Sequence, residues 1–164
     1  LKAVAEDIHA RSAELGFDAF SAAGLDGSSS WRFSGHLATL PLHYEGVKSA
    51  VPTITGEKLD LFKNVWDLYI NNASADVTSL TSSTGDESKA QFVQGKAVFY
   101  QNGTWEDAGL IDAGMTDDML AMIPIYCGAE GEENAALCSG TENCWAVNAK
   151  ASEADRKASI DFLV

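Results

Sequence analysis

Residues 90 to 105 read AQFVQGKAVFYQNGTW, and the pattern changes twice within them. Glu87 to Gln94 suits a short helix, and Gly95 directly after it is a helix stop. Lys96 to Gln101 carries Val98, Phe99 and Tyr100, the β-branched and aromatic residues that favour a strand. Asn102-Gly103 would allow a tight hairpin turn. Thr104 with Asp107 three residues on signals a helix N-terminus instead, and Trp105 to Ala113, closed by Gly114, reads as the next helix. Helix, strand, turn and helix in succession predict an α/β or α+β layer with helix in the majority. This puts Trp105 at the first turn of a helix just after a strand, outside the carboxyl end where ligands bind in α/β sheets.

The flanking chain extends the pattern. Leu1, Val4, Ala5, Ile8 and Leu15 mark an amphipathic helix ended by Gly16, and Phe17 to Ser21 is a short strand candidate. Ala22 to Ser30 reads as a loop, and Trp31 to Leu40 as a helix broken near Pro41. A second loop holds Pro52 and Gly56. Leu59, Phe62, Trp66, Tyr69 and Ile70 then form the cleanest helical stripe, with Trp66 in the core. Asp76 to Asp86 is a Ser/Thr-rich surface loop. Met119 to Ile125 and Trp145 to Val147 are further apolar runs, and Ser152 with Asp155 resembles a capping box for a helix bearing Ala158, Phe162 and Leu163. The Leu59 to Ile70 helix is expected to pack on a small sheet containing Ala97 to Tyr100 and Met119 to Ile123.

With 164 residues, 46% of them hydrophobic, the chain can bury the core of one ordinary domain. Eleven basic against 24 acidic residues give a net charge of −13, and no Lys or Arg occurs from Ala97 to Ala149, so nucleic acid is excluded as a partner. No apolar run approaches the roughly 20 residues of a membrane span. The chain opens at Leu1 and stops at Val164 inside amphipathic patterns, which predicts a piece of a longer protein.

Catalytic signatures are missing. His9, His36 and His43 form no H-E-x-x-H, Ser28 to Ser30 lie in no G-x-S-x-G elbow, and Gly95-Lys96 is followed by Ala97 rather than a hydroxyl. Glu106 and Asp107 are adjacent, about 100° apart on a helix, and badly placed to flank one glycosidic bond. The expectation is a protein that is not an enzyme, with no catalytic residue, metal or cofactor. Cys127, Cys138 and Cys144 lie 11 and 6 residues apart, without a C-x-x-C, which allows at most one internal disulfide. The exposed face of a tryptophan beside amide and carboxylate groups suits a polyhydroxylated ring. Core packing is the alternative for Trp105 on these grounds.

The run from Ala90 to Trp105 resembles the extracellular solute-binding proteins of ABC importers, specifically the carbohydrate, maltose-binding-protein-like family. Phe92, Gly95, Ala97, Asn102, Gly103 and Trp105 match its "F-x-x-G-x-A … N-G-x-W" pattern. Ala121 to Ile125 is similar to its "hydrophobic-x-P-hydrophobic" crossover, Gly140 to Asn148 to its "G-x-x-x-W-x-[IV]-N" strand, and Ser152 to Val164 to the helix that follows. Val4 to Phe20 and the Ser30-Trp31 loop are similar to the opening of the family's second lobe. The resemblance implies a helix-rich α/β lobe of the type II periplasmic-binding class, with a small mixed sheet flanked by helices. Residues 1–123 would be a second-lobe segment on the ligand-cleft side, and residues 124–164 a crossover with a truncated return into the first lobe.

The function so implied is capture of a sugar or oligosaccharide outside the membrane and its delivery to the permease subunits of an ABC importer. The parent would be extracellular or periplasmic, anchored as a lipoprotein. Trp105 would stack on the sugar, with Asn102, Gly103, Trp31, Gly140 and Glu142 as further ligand-binding residues. In an exported protein a Cys127–Cys138 disulfide could cross the acidic loop, with Cys138–Cys144 left open. A glycoside hydrolase fragment and a non-catalytic interaction domain are the competing readings.

Overall fold

Two three-residue strands form the sheet: β1 (Asp18–Phe20) and β2 (Ala97–Phe99) run parallel, with Asp18 opposite Ala97 and Phe20 opposite Phe99. The computed structural model describes residues 1–21, 24–46, 53–138 and 144–163. Before β1 come α1 (Lys2–Ala10) and α2 (Ser12–Leu15), and Gly16 closes α2 at φ 78°, a left-handed conformation that glycine adopts without penalty. All three β1 residues are buried, and a single parallel bridge from Phe20 to Ala73 occupies its other side.

A π-helix (Arg32–Leu37) runs into α3 (Thr39–Tyr44), followed by α4 (Leu59–Tyr69), α5 (Gly85–Val93), α6 (Glu106–Asp112) and α7 (Glu153–Leu163). The helical path does not break at Pro41. It passes through Pro41 because that residue lies in the first turn of α3, where a backbone N–H has no intrahelical acceptor to lose. Thr84 opens α5 with a full capping box: its hydroxyl accepts from Glu87 N and the Glu87 carboxylate accepts from Thr84 N. Pro52 lies outside the described residues.

The core gathers Ala5, Ala19, Phe20, Leu37, Leu61, Val65, Leu68, Tyr69, Ala73 and Cys127. Phe20 anchors it, edge-on to Tyr69 at 5.0 Å between centroids and tilted on Phe99 at 5.1 Å. Of the expected stripe, Tyr69 and Ile70 are buried, but the rest of the face that α4 turns to this core is rotated from it. Leu61, Val65 and Leu68 are buried, Phe62 and Trp66 lie at the margin, and Leu59 is 66% exposed. Trp66 meets Phe33 edge-on at 5.4 Å.

The expected strand at Met119 to Ile123 is corrected. Those residues follow a single 3-10 turn (Asp117–Met119) as irregular chain, with Met119, Met122 and Ile123 exposed. The ladder of β2 is made with β1, and Pro124 removes a donor from the run. Further on, the chain returns to the core: Tyr69 Oη accepts from Tyr126 N at 2.8 Å, and Cys127 is buried beside α4. Trp145 stands exposed outside any helix or strand. Ser152 starts α7 as expected, its hydroxyl accepting from Asp155 N at 3.2 Å, yet α7 buries none of its residues and Phe162 is 88% exposed. Among the described residues no helix is long and apolar enough to cross a membrane.

Candidate functional site

The chain leaves β2 through a turn that the side chain of Asn102 locks from within. Its Nδ2 donates to Tyr100 Oη at 2.7 Å and its Oδ1 accepts from Gly103 N at 2.9 Å, so both ends of the amide shape the turn. The expected Thr104 cap is not formed. Trp105 itself holds the N-cap position of α6 with no side-chain cap, and the first turn closes on backbone bonds from Glu106 N to Gly103 O and Asp107 N to Thr104 O. The Trp105 indole folds back over Gly103 so closely that a Cβ there would overlap the ring. Trp105 keeps 52% of its surface exposed.

The second half of the site comes from the loop before the π-helix. Asp26 accepts from Ser28 N at 2.9 Å and from the hydroxyls of Ser28 and Ser29, and these bonds hold its carboxyl down to about 2. The serine run therefore builds a folded loop. Ser29 and Ser30 carbonyls then accept from Arg32 and Phe33 N–H, starting the helix. The π register, seen in the bond from Ala38 N to Phe33 O at 2.8 Å, suits residues five apart to sharing a face. Trp31 and His36 do so: their rings meet edge-on at 5.2 Å.

The two halves meet in an aromatic cluster. Trp31 lies 5.9 Å from Trp105, and His36 lies 5.7 Å from Trp105, between centroids. Trp31 is 44% exposed. Gln101 joins them, with its Nε2 2.9 Å from His36 Nδ1, while its carbonyl accepts from Arg32 Nη1 at 3.4 Å. The Arg32 guanidinium lies 5.9 Å from the centre of the Tyr100 ring. Burial pushes the Tyr100 hydroxyl up, which keeps it protonated. Glu106 is paired with Lys89 at 3.1 Å and Asp107 is exposed, so the two acids beside Trp105 do not face each other as a pair.

Trp105 and Trp31, read from the sequence, are thus brought together, while Asn102 and Gly103 form the turn beneath Trp105. Gly140 and Glu142 lie outside the described residues. Arg32, His36 and Gln101 are not among the ligand-binding residues that the sequence suggests. The signal for His36 is its spacing of five from Trp31, which places the two together only in a π turn.

The Cys127–Cys138 disulfide is corrected: Cys127, Cys138 and Cys144 are all free, the first buried and the others exposed. Glu132 explains the burial. Its carboxylate accepts from the backbone N–H of Cys127 at 2.7 Å, Gly128 at 2.6 Å and Ala129 at 3.1 Å, and from the Cys127 thiol at 3.1 Å. The thiol is enclosed against that carboxylate, and burial pushes it up to about 12. Among the described residues no cluster of three His, Cys, Asp or Glu side chains could hold a metal ion.

The family model described as bacterial extracellular solute-binding protein matches residues 1–164. No curated protein and no solved structure matches the chain.

Proposed function

Because the chain belongs to the bacterial extracellular solute-binding proteins, whose role is capture of a solute outside the membrane for an ABC importer, we propose that its solute is a carbohydrate held on Trp105, Trp31 and His36. One observation carries this reading: two half-exposed indoles and an imidazole, from elements far apart in sequence, are gathered on one surface. Aromatic faces stack on the C–H faces of sugar rings, while nearby amides serve the hydroxyls. Asn102 and Gly103 contribute by holding the turn, and Gly140 and Glu142 belong to this proposal as further ligand contacts.

On this reading the protein carries out no chemistry and needs no cofactor. Residues 1–123 form the cleft-side segment of the second lobe, and residues 124–164 cross toward the first. The intact protein is anchored as a lipoprotein and hands its sugar to the permease. A thermal-shift screen against a sugar library tests it, since a ligand that binds only the native state raises stability as RT ln(1 + [L]/Kd). A shift with sugars, accompanied by a change in tryptophan fluorescence, is the expected result. Shifts confined to amino acids or peptides would overturn the carbohydrate assignment.

A further inference from the structure

Arg32 is a buried cation whose side chain is left largely unpartnered. It is 3% exposed, its Nε and Nη2 are buried without a hydrogen-bond partner, and among the described residues no Asp or Glu pairs with it. Its contacts are one long bond from Nη1 to the Gln101 carbonyl and the face of Tyr100. Arginine stays charged throughout the working pH range, so it cannot relieve the burden by losing its proton. Removing an unpaired charge from water is expensive, and an orphaned buried donor in a native protein marks a place for a partner that completes it.

The position of Arg32 indicates the partner. It lies one residue from Trp31 and four from His36, in the same π-helix. Gln101 takes Arg32 on its carbonyl and His36 on its side chain, so one residue ties the guanidinium to the aromatic cluster. Nη2 also lies within 3.9 Å of where a Gly85 side chain would begin, at the first residue of α5. The acid nearest in sequence to the cluster, Glu106, is already paired with Lys89. The two idle nitrogens form the fork that a carboxylate accepts in two parallel bonds.

We infer that the solute is an acidic sugar whose carboxylate pairs with Arg32 while its ring stacks on Trp105 and Trp31. This rests on the carbohydrate reading above and makes it narrower. Arg32 supplies specificity, because a neutral sugar leaves its charge uncompensated, whereas a uronate neutralises it.

Titration calorimetry on the full chain tests this with four probes: glucuronate, galacturonate, and their neutral parents glucose and galactose. Acetate at matched concentration serves as the free-carboxylate arm. The uronates should bind about 10- to 100-fold more tightly than their neutral parents, the range of a charge-assisted hydrogen bond. In Arg32→Met that ratio should collapse toward one, and Arg32→Lys, which keeps charge without the fork, should retain part of it. Circular dichroism verifies that each variant folds. Neutral sugars binding as well as uronates in the unaltered protein overturns the inference and leaves the carbohydrate reading standing. Acetate binding as tightly as the uronates makes Arg32 a free-anion site and also overturns it. Failure of all four sugars overturns the acidic-sugar inference, and the carbohydrate reading is then decided by the sugar-library screen.

Discussion

A methyl group at Gly103 would collide with the Trp105 indole, so the glycine and the tryptophan of this turn are required by one another. Gly103→Ala should displace the ring and lower solute affinity with only a modest loss of stability, read as a shift in tryptophan emission and a weaker titration. Trp105→Ala should cost about 1 to 3 kcal/mol of affinity, the range of a lost aromatic anchor. Because the indole is half exposed, its removal should change the unfolding midpoint little. A loss of about 3 to 5 kcal/mol in stability would instead mark a core residue.

Cys127 gives a second prediction at the same scale. Iodoacetamide at pH 8 should label Cys138 and Cys144 in the folded protein and Cys127 only after unfolding. Its thiol has an ordinary value of 9.0 and is raised to about 12 in the fold. The unfolded chain therefore loses this proton first. The contribution to stability is complete below pH 9 and falls as pH rises toward 12, so Cys127→Ala should flatten the alkaline limb of a stability profile.

At the scale of elements, α4 separates two ways of reading a helix. Of the expected stripe Tyr69 and Ile70 reach the core, but Leu59, Phe62 and Trp66 do not, and the rest of the core face is Leu61, Val65 and Leu68, spaced at four and three. Leu68→Ala should cost about 2 to 5 kcal/mol in urea unfolding, and Leu59→Ala less than about 0.5. The reverse order would restore the aromatic stripe as the buried one. The helices starting at residues 2, 59, 85 and 106, and both strands, were legible because glycine stops, caps and apolar spacing are local signals. Met119 to Ile123 was misread because an apolar run specifies burial or strand only when a ladder edge is free, which is a tertiary fact. The π-helix was hidden for a similar reason: nothing in Arg32 to Leu37 distinguishes a bond to the fifth residue back from one to the fourth. Trp105 and its glycine were therefore readable, whereas His36, Arg32 and Gln101 required the fold to bring them together.

For the molecule as a whole, the net charge of −13 is a source of self-repulsion. Twenty-four acids against 11 bases repel one another across the surface, and most of the described ion pairs are exposed local helix pairs of small worth. Raising sodium chloride from about 0.01 to 0.15 M shortens the screening length from roughly 30 to 8 Å, so the melting temperature should rise with salt. A melting temperature that falls over that range would mean that the ion pairs outweigh the repulsion.

The register of the sheet also fixes when the protein can fold. Asp18 finds its partner in Ala97, so closing this one ladder ties off a loop of roughly 80 residues, an entropic toll that must be met before the strand contacts return anything. Everything between, including α4 and the aromatic residues on the π-helix, is synthesised before β2 can offer β1 its ladder. Ala73 and α4 reach β1 and the amino-terminal helix earlier, but the ladder itself must wait until residue 99 has emerged. The strand that completes the sheet is also the one that leads directly into the turn carrying Trp105, so the ladder and the proposed site are finished together.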